Sequence, residues 1–162
     1  MEKKLYFWED FKLNKLVNLG TYEFTEEEII VFGKKFDPQY FHINPQKAKK
    51  SDYKGLIASG WHTCSVIMKL MCAKFLNNTS TLGSPGIKNL NWSHPVRPGD
   101  IISGYWNVTE KRESKSKPNL GILKLKISGV NQNEVTVITM EPTIIVYKKN
   151  KSSFMLLDFI IV

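Results

Sequence analysis

Asp37 and His42 stand five residues apart in Phe36-Asp37-Pro38-Gln39-Tyr40-Phe41-His42-Ile43. A carboxylate and an imidazole flanking a proline-stiffened turn can both point at one water molecule. The carboxylate can accept a proton from that water while the imidazole orients it or exchanges a proton with a substrate. Spacing alone leaves a second reading open, a loop cap beside an ordinary partly buried histidine. Downstream, Gly55-Leu56-Ile57-Ala58-Ser59-Gly60-Trp61-His62-Thr63 delivers a glycine to the start of a helix. A helix N-terminus presents unpaired amides and positive partial charge, and glycine lets a substrate carbonyl approach closely. Such a place can stabilise an oxyanion. Alternatively, Gly60 serves only to let the helix cross closely over a sheet. The other histidines, His62 and His94, are too scattered to form a metal site with His42, and Cys64 and Cys72 are not placed to complete one. Those cysteines lie eight residues apart in one helix, about 12 Å along its axis, too far for a disulfide. They read as small buried hydrophobes, and His62 and His94 as structural.

Two helices and a sheet must position these groups. Thr25 caps a helix through Phe36, with Glu28 as the capping-box partner and Phe24 and Ile29 as a staple. Ile29, Phe32 and Phe36 recur at helical spacing, and Asp37-Pro38 ends the run because the residue before proline avoids the α region. From Gly60 to about Leu76 only Lys69 and Lys74 are charged, which predicts a helix enclosed on most sides. Four β-prone stretches follow, about Gly86–Val96, Asp100–Lys111, Leu120–Val130 and Glu134–Tyr147, separated by turn signals. Leu123-Lys124-Leu125-Lys126-Ile127 alternates as a half-buried antiparallel strand does. The fold class is α+β, one long helix against an antiparallel sheet, with Phe32, Phe36 and Trp106 in the core.

The 162 residues suit one domain. A formal net charge of +8 and a pI near 9.4 favour anionic partners without choosing among them. The basic loop Arg112 to Lys117 reads as a solvated hairpin connection, and no Gly-rich phosphate loop, Cys-x-x-Cys or His-x-x-x-His motif is present. Acidic residues interrupt the N-terminus before it reaches signal-peptide length, and the most apolar run, Phe154 to Val162, is too short to span a bilayer. A soluble, cytoplasmic protein is expected, with no membrane and no nucleic-acid partner. The apolar extension after Tyr147 is expected to pack on the domain or at a subunit interface.

In order and separation these motifs resemble those of the MaoC-like dehydratases, which include the R-specific enoyl-CoA hydratases and adopt the hotdog fold. The likeness runs from about Trp8 to Tyr147, making residues 1–147 the domain and 148–162 an extension. The family's Asp-x-Asn-Pro-apolar-His motif falls on Asp37 to His42, its Gly-apolar-His-Gly stretch on Gly55 to Gly60, and its Pro-Val-x-Pro-Gly-Asp turn on Pro95 to Asp100. The resemblance implies hotdog topology, acyl-thioester substrates and a homodimer as the smallest working unit. It implies that Asp37 and His42 activate the water that adds to C3 of a trans-2-enoyl thioester, or eliminate it from a 3-hydroxyacyl thioester. The Gly60 amide would hold the thioester oxygen. No cofactor is implied, since CoA or acyl-carrier protein serves as substrate carrier. Gln39 stands where the family commonly has Asn, Tyr40 for Pro, and Ser59-Gly60-Trp61 for His-Gly-Met; these departures place Gln39, Ser59 and Trp61 against the substrate, with Trp61 reshaping the acyl pocket. Lys47, Lys49, Lys50 and Lys54 lie between the two active-site motifs, where they and Arg97 are candidates for the phosphates of CoA. A hotdog thioesterase and a non-catalytic acyl-CoA-binding module are the competing functions. The first is disfavoured because the helix after Gly60 offers no Asp or Glu as base.

Overall fold

The computed structural model describes residues 4–149. Of the C-terminal extension, all but Lys148 and Lys149 lies outside them. Five antiparallel strands, β1 (Val17–Glu23), β2 (Thr81–Trp92), β3 (Ile101–Glu113), β4 (Leu120–Val130) and β5 (Thr136–Tyr147), form one sheet in the order β1-β3-β4-β5-β2. The helices are α1 (Glu26–Phe36), α2 (Tyr40–Ile43), α3 (Pro45–Lys49) and the long α4 (Gly60–Lys74). Along β4, Leu123, Leu125 and Ile127 are buried and Lys124 and Lys126 exposed, as the alternation requires. The core lies between that face and α4, whose Val66, Ile67, Leu70 and Met71 are buried.

The structure departs from the sequence expectations at four places. First, α4 is not enclosed on most sides within one chain: Trp61, Ser65 and Met68 form an exposed stripe along it. Its few charges therefore do not reflect burial in the monomer. Second, β2 runs from Thr81 to Trp92, so Ser93 to Val96 leave the sheet as a loop. Third, β1 escapes a pattern reading because its register shifts between Asn18 and Gly20, where Gly20 has φ +102°, and only Leu19 along it is fully buried. Phe36, expected in the core, is 62% exposed at the last turn of α1.

The start of α1 follows its sequence closely. Thr25 Oγ1 accepts from the Glu28 amide at 3.2 Å, and Phe24 and Ile29 are fully buried. The Glu28 carboxylate accepts from the hydroxyls of Thr25 at 3.1 Å and Tyr22 at 2.6 Å, tying α1 to β1.

Candidate active site

The site begins where α1 stops. Asp37 is the C-cap of α1, its amide donating to the Gly33 carbonyl, and a turn through Gln39 leads directly into the single turn of α2 that carries His42. This turn lies tightly against α1: a Cβ on Gly33 would sit 3.0 Å from both the Cβ and the carbonyl oxygen of His42. Glycine at position 33 therefore permits the approach that sets His42 beside Asp37. The segment Leu56 to Ala58 is held between two neighbours, Ile57 N–H donating to the Phe41 carbonyl and Ala58 N–H to the Val96 carbonyl. It presents the Ile57 carbonyl to His42 and continues into α4.

His42 is buried, and its Nδ1 lies 2.8 Å from the Ile57 carbonyl oxygen. A carbonyl only accepts, so Nδ1 carries the proton and Nε2 is the nitrogen left for chemistry. Nε2 lies 3.3 Å from Asp37 Oδ2. The same carboxylate accepts from Gln39 Nε2 at 2.8 Å on Oδ1 and from Ser59 Oγ at 2.7 Å on Oδ2. Burial alone would raise the Asp37 carboxyl, but the bonds from Gln39 and Ser59 and the positive form of His42 outweigh it and hold the group below the usual carboxylate range. An ionised carboxylate thus faces the one imidazole nitrogen that can take or give a proton.

Gly60 opens α4, with Ser59 as N-cap. The Gly60 amide belongs to the first turn and has no intrahelical acceptor. Its carbonyl accepts from the Trp92 indole N–H at 3.0 Å, and a Cβ on Gly60 would lie 2.6 Å from the Trp92 ring. This glycine permits a close crossing, here by Trp92 at the end of β2, and it also opens a helix N-terminus. Asp37, His42, Gly60, Trp61, Trp92 and His94 face one cleft of about 440 Å³.

The structure therefore gathers Asp37, His42, Gly60, Gln39 and Trp61 around one cleft and leaves the other expected contacts aside. Ser59 is 1% exposed and does not line the cleft, because its hydroxyl turns inward to Asp37. Arg97 donates from Nη2 to the Tyr53 carbonyl at 2.7 Å, so its guanidinium fastens a loop. Lys47, Lys50 and Lys54 are exposed and outside the cleft lining. His62 is structural as expected, stacked on Phe32 at 4.6 Å; burial lowers its pKa, opposed in part by Glu28. His94 is not merely structural in placement: its Nδ1 donates to the Thr136 carbonyl at 2.9 Å and the residue lines the cleft. Trp92 and Thr63 line it too. No motif marks these three, since they arrive by the path of β2 and the turn of α4.

A family model described as a MaoC like domain matches residues 12–130. YdeM, an uncharacterised protein of Bacillus subtilis strain 168, is 27% identical over 138 residues, covering 85% of this chain and 96% of its own. The crystal structure of a MaoC-like dehydratase from Rhodospirillum rubrum superposes with a TM-score of 0.82 at 29% identity, over 90% of this chain and 99% of that one. A Mycobacterium tuberculosis protein with a double hotdog fold matches at 0.76 and 10% identity, over 91% of this chain and 46% of that one. The architecture described above is thus a single hotdog, a long helix packed on an antiparallel sheet.

Proposed function

Because the chain belongs to the MaoC-like family, we propose that it adds water to a trans-2-enoyl-CoA, or removes it from the corresponding 3-hydroxyacyl-CoA. The observation that carries this reading is the 3.3 Å separation of His42 Nε2 and Asp37 Oδ2 in the cleft that Gly60 also faces. Nε2 and Oδ2 both accept, so a water between them is held by its own two hydrogens and turns a lone pair outward. That oxygen bonds to C3 as the C2–C3 π electrons move to C2 and onto the thioester oxygen. The Gly60 amide and the N-terminus of α4 stabilise the resulting enolate. The proton given up by the water passes to the Asp37–His42 pair and is returned to C2, so one water is added and nothing else is consumed. The thioester itself acidifies C2, and the reaction calls on no cofactor. Trp61 and Trp92, edge to face at 5.6 Å, wall the acyl group. The exposed Lys47, Lys50 and Lys54 flank the cleft-lining Tyr53 in sequence and offer charge to the phosphates of CoA.

The working unit is a pair of chains. Trp61 and Met68 on α4, and Leu82, Ile87 and Trp92 on the edge strand β2, are between 45% and 59% exposed. A second copy laid along β2 covers this apolar surface and encloses the side of α4 that one chain leaves open. Since Trp92 ends β2 and walls the cleft, the site is completed at the same junction. Among the described residues no helix is long and apolar enough to cross a membrane.

The test is loss of the conjugated enoyl absorbance when the protein is mixed with crotonyl-CoA and a panel of branched enoyl-CoAs. Turnover is expected with at least one, and Asp37→Asn and His42→Ala should each lower kcat by roughly 10²-fold or more. No turnover by the folded wild type with any of them, beside an active control enzyme, overturns the reading. Release of free CoA thiol in place of hydration would identify a thioesterase.

A further inference from the structure

Ser59 sits where the family resemblance implies a substrate contact, yet it is almost fully buried and absent from the cleft lining. Its hydroxyl has two neighbours. The Trp61 amide, 3.3 Å away, can only donate to Oγ. The hydroxyl hydrogen is therefore free to go to Asp37 Oδ2 at 2.7 Å, which as a carboxylate oxygen only accepts. One side chain thus caps α4 and binds the carboxylate at the end of α1, twenty-two residues earlier in the chain.

From this geometry we infer that Ser59 is a positioning residue, which joins the carboxylate of the water-activating pair to the helix start that carries the oxyanion amide. The inference rests on the hydratase reading for its catalytic meaning, but the link itself does not depend on turnover. Asp37 Oδ2 has two in-plane lone pairs. With one taken by Ser59, the other is left toward His42 Nε2, so the hydroxyl aims the carboxylate at the place where water must sit. Gln39 holds Oδ1 and stops rotation of the group. Because Ser59 is followed immediately by Gly60, any movement of α4 that displaced the oxyanion amide would also pull on the carboxylate. The separation of the water-activating carboxylate from the oxyanion amide is thereby set by one hydrogen bond and the short covalent span from Ser59 to Gly60.

The hydroxyl also stabilises the ionised form of Asp37. The titratable and charged groups near it are His42 on α2, Tyr53 and His94 across the cleft, and the exposed Lys34 and Lys35 on the last turn of α1. Of these His42 alone is in ionic contact with it among the described residues. Removing Ser59 therefore takes away a bond that His42 and Gln39 do not replace.

The experiment follows the Asp37 carboxyl by ¹³C NMR in aspartate-labelled free protein, the signal assigned with Asp37→Asn, across an acid titration. Ser59→Ala is expected to raise the midpoint by about one pH unit, the size of one hydrogen bond to a charged group. Ser59→Gly should do the same while sparing the helix start, since glycine is a tolerable N-cap. Ser59→Thr, which keeps the hydroxyl, should stay at the wild-type midpoint. In turnover assays the acid limb of kcat/KM should move up by the same amount in the Ala and Gly variants and return in Thr. An unmoved midpoint in folded Ser59→Gly overturns the inference. So does a fall in kcat/KM with the pH profile unchanged, which would leave Ser59 as a cap alone. A wild type inactive on every enoyl-CoA whose Asp37 midpoint still moves in the variants would overturn the hydratase reading and leave the link standing.

Discussion

His42 owes its usefulness to the Ile57 carbonyl, which fixes the tautomer and turns Nε2 to Asp37. Residue types and spacing leave a loop cap open as a second reading of this pair, and only the order of the family motifs in sequence singles it out. Ser59 lies in the expected neighbourhood but turns inward to Asp37, since a family motif does not say whether a substituted hydroxyl beside a helix start faces the ligand or the interior. Gly33 drew no notice, because its neighbour His42 is a tertiary contact. It supports a prediction in which two effects oppose each other. Gly33→Ala gains about 1 kcal/mol of helix propensity, while the new methyl meets His42 at 3.0 Å and Ile43 at 2.9 Å, and overpacking costs about 1–3 kcal/mol. Backbone is among the atoms met, so packing should win. Urea denaturation is expected to show a less stable protein, and kcat should fall as His42 is pushed from Asp37; a stabilised, fully active variant would contradict the geometry.

At the scale of elements, α1, α4 and β3 to β5 were readable because capping, charge content and alternation are local properties. The first strand was not, its irregular register and sparse burial leaving little period to detect. What β1 contributes is a tie to α1. The Tyr22 hydroxyl donates to Glu28, and this bond, with burial and the nearby negative charge, pushes the phenol up to about 12 from 10.0. A group whose pKa is raised by folding contributes stability that is fully present below its unfolded value and lost as pH rises through the folded one. The stability gap between wild type and Tyr22→Phe should therefore stay constant from neutral pH to about 10 and close as pH approaches about 12, and it should shrink again in acid as Glu28, held low by the same bond, takes up a proton. Denaturant melts over that range measure it, and a gap that stayed unchanged through it would mean that the bond does not form.

On the scale of the whole molecule, the low charge of α4 predicted an enclosure that a single chain does not supply. Helix and few charges are both present, but a surface that a second copy would cover leaves the same apolar pattern in sequence as a core does. Met68→Lys and Ile87→Lys place charge on the two halves of this surface. Size-exclusion chromatography with light scattering should show wild type at twice 18.7 kDa and each variant shifted toward 18.7 kDa. A monomeric wild type would refute the pairing.

Breaks in register along β2, between Thr81 and Gly83, Gly83 and Gly86, and Lys88 and Asn91, also govern how sheets of this protein can propagate. A flat, regular edge templates strand upon strand without end. Here one edge is kinked in three places, and the opposite edge is the seven-residue β1, itself interrupted at Gly20. Only a surface carrying the matching irregularity can add to β2, and once added it presents β1 outward, which offers no such match. Concentrated solutions should accordingly hold closed particles and resist fibril growth.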